Sequence, residues 1–322
     1  MNEHGNKQLP QEEAFNDESV NKIFQKAKWR SVFRNILISG VVSILVFCGG
    51  YLLNSYLLSK TAWKAVTPLE LNKRITGPNL YMDKPQFHFS LLRGTLEYQE
   101  FKMIENRVIP WDDHKVPFDI IRGEGEVLHG SSMGVQVNDG GDARFYNDRS
   151  GERQMLFYHP SVKYSSYLND LPLLNRMRDD QYIEMGLSFD KGYTLSQVDR
   201  MLPQGIHATW YWADSYSRDT LKNGAEPLRA EELYGFQAYT ERLSDSNRTT
   251  EEQFINNLEA VAKCTNSYYA ENAGRALAAV KSHQQSGMII GVVVTGTKDQ
   301  LKTLQQLPFI KAATLGATVD IY

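Results

Sequence analysis

The residues in this chain that most resemble a metal-binding or catalytic cluster are Trp111-Asp112-Asp113-His114. Carboxylate and imidazole groups can bind a metal ion or transfer a proton. However, neighbouring side chains on an extended segment point to opposite faces, so they rarely converge on one ion. The sequence also offers no second pair of His or Cys residues at the spacing of a zinc site. We therefore predict that residues 111–114 form a surface turn without a metal ion.

Two glycine-containing segments could bind an ion or a phosphate group. Residues 138–142, Asn-Asp-Gly-Gly-Asp, offer oxygen atoms suited to calcium but lack the spacing of an EF-hand loop, so a tight turn is predicted. Gly296-Thr297-Lys298 follows an apolar run and precedes a helical pattern, as a phosphate-binding loop does, but its spacing is not that of a Walker motif. Thr297 is instead predicted to be the N-cap of a helix.

Catalytic motifs are missing from the sequence. It contains no nucleophile elbow, no H-E-x-x-H motif and no dinucleotide-binding fingerprint. The seven histidines are scattered, and we interpret His207, within an apolar strand pattern, as structural. Cys48 lies in an apolar run and Cys264 far from it, so no disulfide is expected. The sequence predicts a protein that is not an enzyme and that uses no cofactor, metal ion or small-molecule substrate.

The composition is that of a largely soluble protein. The chain has 322 residues, enough for one or two domains with sizeable cores, and 42% of them are hydrophobic. The formal net charge of -3 argues against direct binding of nucleic acid. The 17 Tyr and 14 Phe residues favour folded, β-rich structure rather than disorder.

One segment, Ile36–Leu58, predicts a membrane span. It contains no charged residue and exceeds the roughly 20 apolar residues that a helix needs to cross a bilayer. The apolar region of a cleaved signal peptide would be only about 7–15 residues long and close to the chain start. Basic residues are more frequent before the run than after it: Lys22, Lys26, Lys28, Arg30 and Arg34 against Lys60 and Lys64. This asymmetry predicts a single-pass membrane protein with a cytoplasmic N terminus.

The predicted cytoplasmic tail, residues 1–34, contains a short amphipathic helix. Its apolar residues recur at helical spacing: Val20, Ile23, Phe24 and Ala27. One hypothesis is a juxtamembrane helix whose lysines contact anionic lipid headgroups. The other is a docking helix whose apolar face binds a cytoplasmic partner. The spacing alone favours the lipid hypothesis.

Beyond a span at residues 35–58, the pattern predicts two outer domains. Residues 59–177 indicate a β-rich domain with an initial helix near Thr67–Ile75. Residues 178–322 contain two similar blocks, in which a strand with an internal glycine precedes a helix that ends in Leu-Pro and then another strand. Two further helices separate these blocks. We therefore predict an α+β fold with two βαβ-type units in the C-terminal domain.

The sequence resembles a known family along most of its length. The similarity to the sigma factor regulator N-terminal domain is carried by Lys22–Lys60, Thr76–Met82 and Leu91–Ile104. The stretch from Asp180 to Tyr322 is similar to the matching C-terminal domain, through His207–Asp214, Glu251–Val261 and Ile289–Leu301. The resemblance implies a membrane-anchored anti-sigma factor of Gram-positive bacteria. Such a protein holds an extracytoplasmic-function sigma factor at the membrane until an envelope signal releases it.

The tail departs from the pattern of many anti-sigma factors, which carry a longer cytoplasmic domain that often has a His/Cys zinc motif. This tail has no Cys and only His4. A stable interface takes about 800 Å² per partner, so the tail binds either as a helix in a groove or together with a second membrane protein. The alternative function is a membrane-anchored scaffold whose extracellular part binds a ligand or protein and whose tail is passive.

Overall fold

The computed structural model describes residues 17–121, 123–124, 128–129, 134–139, 142–217, 221, 226–239, 249–264 and 268–322. The chain forms two compact units, Met1–Tyr56 and Leu57–Tyr322. Its fold is the predicted α+β arrangement: a long apolar helix, then a β-rich region, then a C-terminal α+β region.

The helix α1 (Asp17–Lys73) contains the predicted span. Among the described residues it is the one helix long and apolar enough to cross a membrane, with a mean hydropathy of 2.4 over its most apolar window. Side chains 21–53 are all exposed in the isolated chain, which suits a lipid environment. The helix predicted near Thr67–Ile75 is the last part of α1, because the chain between Leu58 and Thr67 holds no helix-breaking residue.

The β-rich region is built on one long hairpin, β3 (Arg93–Ile104) and β4 (Arg107–Asp119). Shorter strands extend it: β1 (Leu80–Met82) and β2 (Gln86–Phe89) pair with β3, while β5 (Gly123–Glu124) and β6 (Leu128–His129) pair with β4. A second sheet contains β7 (Val135–Asp139), β8 (Asp142–Tyr146) and β9 (Arg153–Gln154). The pairing of Asp139 with Asp142 agrees with the predicted turn at residues 138–142, although Gly140 and Gly141 lie outside the described residues.

The end of α1 packs on the β3–β4 hairpin. Its buried residues recur every three to four positions, so they form one stripe along the helix. They are Leu58, Ala62, Val66 and Leu69, and they share a core cluster with Leu96, Tyr98, Val116 and Phe118 of the hairpin. This stripe makes the helical segment after the apolar run part of the folded β-rich region.

The C-terminal region contains a five-stranded antiparallel sheet in the order β14-β12-β15-β11-β16. Its strands are β11 (Gln181–Tyr193), β12 (His207–Ala213), β14 (Gly235–Gln237), β15 (Ile289–Thr297) and β16 (Ile310–Asp320). Helix α2 (Leu195–Met201) connects β11 to β12, and α5 (Lys298–Lys302) connects β15 to β16. The two predicted βαβ-type units are therefore present and interleaved, because β15 lies between β11 and β12 and β11 lies between β15 and β16.

Both units begin their helices with the same capping arrangement. Thr297 is the N-cap of α5, as predicted, and its backbone N–H donates to Gln300 Oε1 at 2.7 Å. Thr194 caps α2 in the same way with Gln197. A Thr with a Gln three residues later is a capping box, which satisfies backbone donors that the first helical turn leaves unpaired.

Helices cover one face of the C-terminal sheet. The helices α3 (Thr250–Ala262) and α4 (Tyr268–His283) bury Phe254, Leu258 and Val280 against the sheet's main core. The opposite face packs on the short pair β10 (Leu156–Phe157) and β13 (Leu228–Arg229) and on neighbouring residues. Here the internal glycines of the repeat make room: a Cβ on Gly186 would lie 2.7 Å from the Phe157 ring, and one on Gly291 would lie 2.8 Å from the Trp212 ring.

Candidate functional site

The predicted surface turn at residues 111–114 is wrong. The four residues belong to β4, and Trp111, Asp112 and His114 are buried. The register shifts here, since Glu100 pairs with Asp112 while Phe101 pairs with Pro110, so Trp111 is an extra residue in a β-bulge. The bulge sends two consecutive side chains inward, which the simple alternation of a strand does not predict. Only Asp113 points outward, where it pairs with Arg149.

The buried residues of the bulge belong to a charged cluster at the end of α1. The Lys73 ammonium in the last turn of α1 forms an ion pair with the Glu100 carboxylate, and His114 Nε2 lies 3.3 Å from Glu100 Oε2. The same His114 nitrogen lies 3.4 Å from Asp112 Oδ2. Burial acts to raise the pKa of Glu100, but Lys73 and His114 outweigh it and hold that pKa at about 2. The cluster therefore fixes the last turn of α1 to β3 with a charged carboxylate.

A second buried ion pair joins the first sheet to the C-terminal sheet. Lys102 Nζ of β3 lies 2.8 Å from Glu184 Oε2 of β11, and both side chains are almost completely buried. Asn79 Nδ2 donates to Glu184 Oε1 at 2.8 Å, and the Lys102 ammonium lies 4.3 Å from the centre of the Trp111 ring. Because both charged groups have further polar or aromatic partners, the pair stabilises one arrangement of the two sheets.

Two more carboxyl groups lie near this pair. Glu231 is half-buried, but both of its carboxyl oxygens are shielded from solvent, and neither has a hydrogen-bond partner among the described residues. Burial raises the pKa of Glu231, and the nearby Lys102 only partly opposes that effect. Burial also raises the pKa of Glu152, which accepts from the Thr318 backbone N–H at 2.9 Å. The Lys102 ammonium thus lies near three carboxyl groups, and Glu231 has the fewest partners that would stabilise its ionised form.

A third cluster places two histidines on one carboxylate. His159 Nε2 lies 3.2 Å from Asp214 Oδ1, and His283 Nδ1 lies 3.4 Å from Asp214 Oδ2. His159 is buried, and its Nδ1 accepts from the Ser161 backbone N–H at 3.2 Å. A neutral His159 therefore carries its proton on Nε2 and donates it to Asp214. In the described part of the chain, no group of three or more His, Cys, Asp or Glu side chains is arranged to hold a metal ion.

His207, interpreted from the sequence as structural, is the exposed first residue of β12. Its Nδ1 lies 2.9 Å from Glu105 Oε1 at the tip of the β3–β4 hairpin. Glu105 also accepts from the Thr295 hydroxyl at 2.5 Å. These contacts link the hairpin tip to two strands of the C-terminal sheet.

A groove of about 650 Å³ lies beside the end of α1. Its wall is formed by the last turn of α1, by β1 with the residues after it, and by the start of α3. Lys73, Arg74 and Lys84 provide positive charge, and Tyr81 and Tyr239 provide aromatic surface. A groove of this size and character can accept a polar ligand or a peptide segment.

The predicted partner-binding residues lie in the first turns of α1. Successive helical residues are about 100° apart, so positions 20, 23, 24 and 27 fall within an arc of about 100°. Ile23 and Phe24 are 68% and 69% exposed, and Ala27 is exposed beside them. Val20 is helical, and its side chain lies outside the described residues. The helix thus presents a narrow apolar stripe, next to which lie Lys26, Arg30 and Arg34.

Comparison with known proteins identifies both halves of the chain. The sigma factor regulator N-terminal model matches residues 21–109, and the sigma factor regulator C-terminal model matches residues 174–317. The chain belongs to the sigma factor regulator family. No curated protein and no solved structure matches it. The family is regulatory in kind, and its domains support an anti-sigma factor role in transcription regulation through binding of a sigma factor.

The two matched segments contain different candidate sites of this regulator. The N-terminal match includes Ile23, Phe24 and Ala27 of the apolar stripe, the apolar run and the Lys73–Glu100 pair, and it ends inside β4. The C-terminal match includes four strands of the five-stranded sheet completely and ends inside the fifth, β16. The Lys102–Glu184 pair therefore joins one matched segment to the other. Sequence reasoning missed this pair, Glu231 and His159 because an isolated charged residue in a strand pattern carries no sign of its distant partner.

Proposed function

We propose that this protein is a membrane-anchored anti-sigma factor that sequesters an extracytoplasmic-function sigma factor until the outer region responds to an envelope signal. In this proposal residues 1–34 are cytoplasmic and residues 35–58 cross the membrane. Residues 59–177 and 178–322 form two extracellular domains. The protein is regulatory and carries out no catalysis.

The observation that carries the proposal is the apolar stripe at Ile23 and Phe24, on a helix that continues without interruption into the apolar run. Large apolar side chains at helical spacing suit a helix that binds in a groove of its partner. The stripe also lies inside the segment matched by the family's N-terminal model. Both features support the stripe as the site that binds the sigma factor.

The area of the stripe bears on how the sigma factor is held. A stable interface takes about 800 Å² from each partner, and a few turns of helix offer less unless a groove encloses them. We therefore propose that the sigma factor encloses the helix in a groove or that a second membrane protein adds contact area. The basic residues beside the stripe, Lys26, Arg30 and Arg34, suit contact with anionic lipid at the same time.

The decisive experiment changes the stripe without changing the helix. Phe24→Asp places a charge where an apolar side chain is to be buried, so we expect loss of sigma factor co-purification from membranes and increased sigma-dependent transcription. The matched control is Gln25→Asp, which introduces the same acidic side chain at a polar position outside the stripe, about 100° away around the helix. The control is expected to bind as the wild type does.

Equal binding by both variants would refute the stripe as the binding site. Loss of binding in both would point to the tail's net charge instead. If the protein is a scaffold with a passive tail, replacing residues 1–33 with an unrelated basic sequence leaves its function intact. The groove beside the end of α1 is the observation that favours this second function, because it offers the outer region a ligand site of its own.

A further inference from the structure

The end of the first sheet formed by the β2–β3 turn and the end of β4 carries unusually exposed apolar side chains. Leu91 is 80% exposed and Ile121 is 86% exposed, and Phe89 and Leu92 are also exposed. The backbone N–H of Ile120 donates to the Leu92 carbonyl at 3.2 Å, so the two segments lie side by side. We call Phe89, Leu91, Leu92 and Ile121 the apolar tip.

Two contacts show how α1 runs along β3. The Trp63 ring lies 5.8 Å from the ring of Phe87, which pairs with Leu96 of β3, and Lys73 contacts Glu100 of β3. From residue 63 to 73 a helix rises about 15 Å. From residue 96 to 100 a strand rises about 13 Å. The helix and the strand therefore run side by side in the same direction.

This alignment gives the level of the apolar tip. Leu58 lies about 7.5 Å before Trp63 along the helix. On β3 the same distance is roughly two residues, so counting back from Leu96 beside Trp63 places Leu58 beside Gly94. Gly94 pairs with Phe89 and Phe118, and Leu58 shares a core cluster with Phe118, as this level requires. Leu91 and Leu92 precede β3, so they lie beyond the level of Leu58.

Leu58 is also the last apolar residue of the uncharged run, which ends before Lys60. If that run crosses the bilayer, the edge of the hydrocarbon layer lies near Leu58, and side chains beyond its level meet lipid instead of water. Arg93 beside the tip, with Lys60 and Lys64 on α1, is exposed and suits the phosphates of the headgroup layer. Exposed apolar side chains with nearby basic residues are typical of surfaces that insert into a membrane interface.

We propose that the apolar tip inserts into the outer leaflet of the membrane that holds α1. The outer region is then attached to the bilayer at two places, α1 and the tip, so the lipid surface restrains its tilt. The occupant of this surface is lipid and not another protein. This inference rests on the membrane anchoring in the proposed function, and its test separates the two.

The test measures depth in the full-length protein reconstituted in vesicles of zwitterionic and anionic phospholipid that contain a nitroxide-labelled lipid. In a background with Cys48→Ser and Cys264→Ser, an environment-sensitive fluorophore is attached to Leu91→Cys, to Val108→Cys or to Phe47→Cys. Val108 is a matched control, because it is exposed in the same sheet about 30 Å away, at the other end of the β3–β4 hairpin. Phe47 lies in the apolar run and reports anchoring.

We expect the nitroxide lipid to quench the fluorophore at positions 47 and 91 several-fold more than at position 108. Strong quenching at position 47 together with equal, weak quenching at 91 and 108 would overturn the tip proposal and leave the anchor intact. Weak quenching at position 47 would overturn the anchor and the tip together. Sigma factor binding by the tail is measured separately, so neither result is confused with a failure of sequestration.

Discussion

At the residue scale, the carboxyl groups near the Lys102–Glu184 pair differ in how many hydrogen-bond and ion-pair partners they have. Glu184 has Lys102, Asn79 and a backbone N–H from Ala317 as partners. Glu231 has no hydrogen-bond partner among the described residues, and burial raises its pKa above the usual value. An ionised carboxylate without partners is costly to bury, so Glu231 keeps a proton to a higher pH than an exposed glutamate.

This difference gives a pH-dependent prediction for Glu231→Gln. The folded protein binds the Glu231 proton more tightly than the unfolded chain does, so this proton stabilises the fold. The stabilisation is fully present below the unfolded pKa of about 4.5, and it is lost as the pH rises through the higher pKa of the folded protein. A neutral glutamine amide at this position removes this loss. We expect the variant to unfold at a higher temperature than the wild type at pH 7, with the difference shrinking towards pH 4.

Thermal unfolding of the full-length protein in detergent between pH 4 and pH 8 measures this effect. The control is Glu271→Gln on α4, where the side chain is 81% exposed and the same substitution should change little at any pH. A Glu231→Gln variant that is less stable than the wild type at pH 7 would show that the carboxylate is ionised and supported.

At the element scale, the segment of α1 after the apolar run is the part of the helix that contacts the sheets. Its last turn is held by the ion pair of Lys73 with Glu100, and its buried stripe packs on β3 and β4. The apolar run and this segment belong to the same helix, Asp17–Lys73. In the proposed function, this packing is the place where a change in the sheets would first reach α1.

We predict that Leu69→Ala weakens this connection. Leu69 is buried in the cluster with the hairpin, and removing a buried leucine side chain costs about 2–5 kcal/mol. The expected result is a lower unfolding temperature and faster proteolysis between α1 and β1. Thr67→Ala is the control, because Thr67 is exposed two positions earlier in the same helix. Equal stability of the two variants would show that the helix does not depend on its packing against the sheet.

At the scale of the whole molecule, the proposed function requires the tail and the sheets to lie on opposite sides of the membrane. The excess of basic residues before the apolar run supports a cytoplasmic N terminus. The groove, the buried charge clusters and the five-stranded sheet would then all face the exterior. The tail would be the only part within reach of a sigma factor.

Labelling of single cysteines in intact cells tests this orientation. In a background with Cys48→Ser and Cys264→Ser, we expect a membrane-impermeant maleimide to label Glu271→Cys in intact cells and Gln25→Cys only after lysis. Both positions are exposed, so access depends on the side of the membrane. The reverse pattern would place the tail outside and refute sequestration of a cytoplasmic sigma factor.

The sequence by itself determined the apolar run, the stripe at Ile23 and Phe24, the two βαβ-type units and the N-cap at Thr297. These features depend on residue type and spacing along a short stretch of chain, because the lengths and periods of helices and strands are local properties. The family resemblance was visible for the same reason, since its markers are short runs of residues.

Only the tertiary structure decided which charged residues are buried and what they contact. The bulge turned Trp111 and Asp112 inward together, and Lys102 met Glu184 across 82 positions of sequence. The packing of the end of α1 on the hairpin and the level of the apolar tip likewise depend on contacts between distant segments. Burial and ion pairing arise where distant segments meet, so no local pattern in the sequence specifies them.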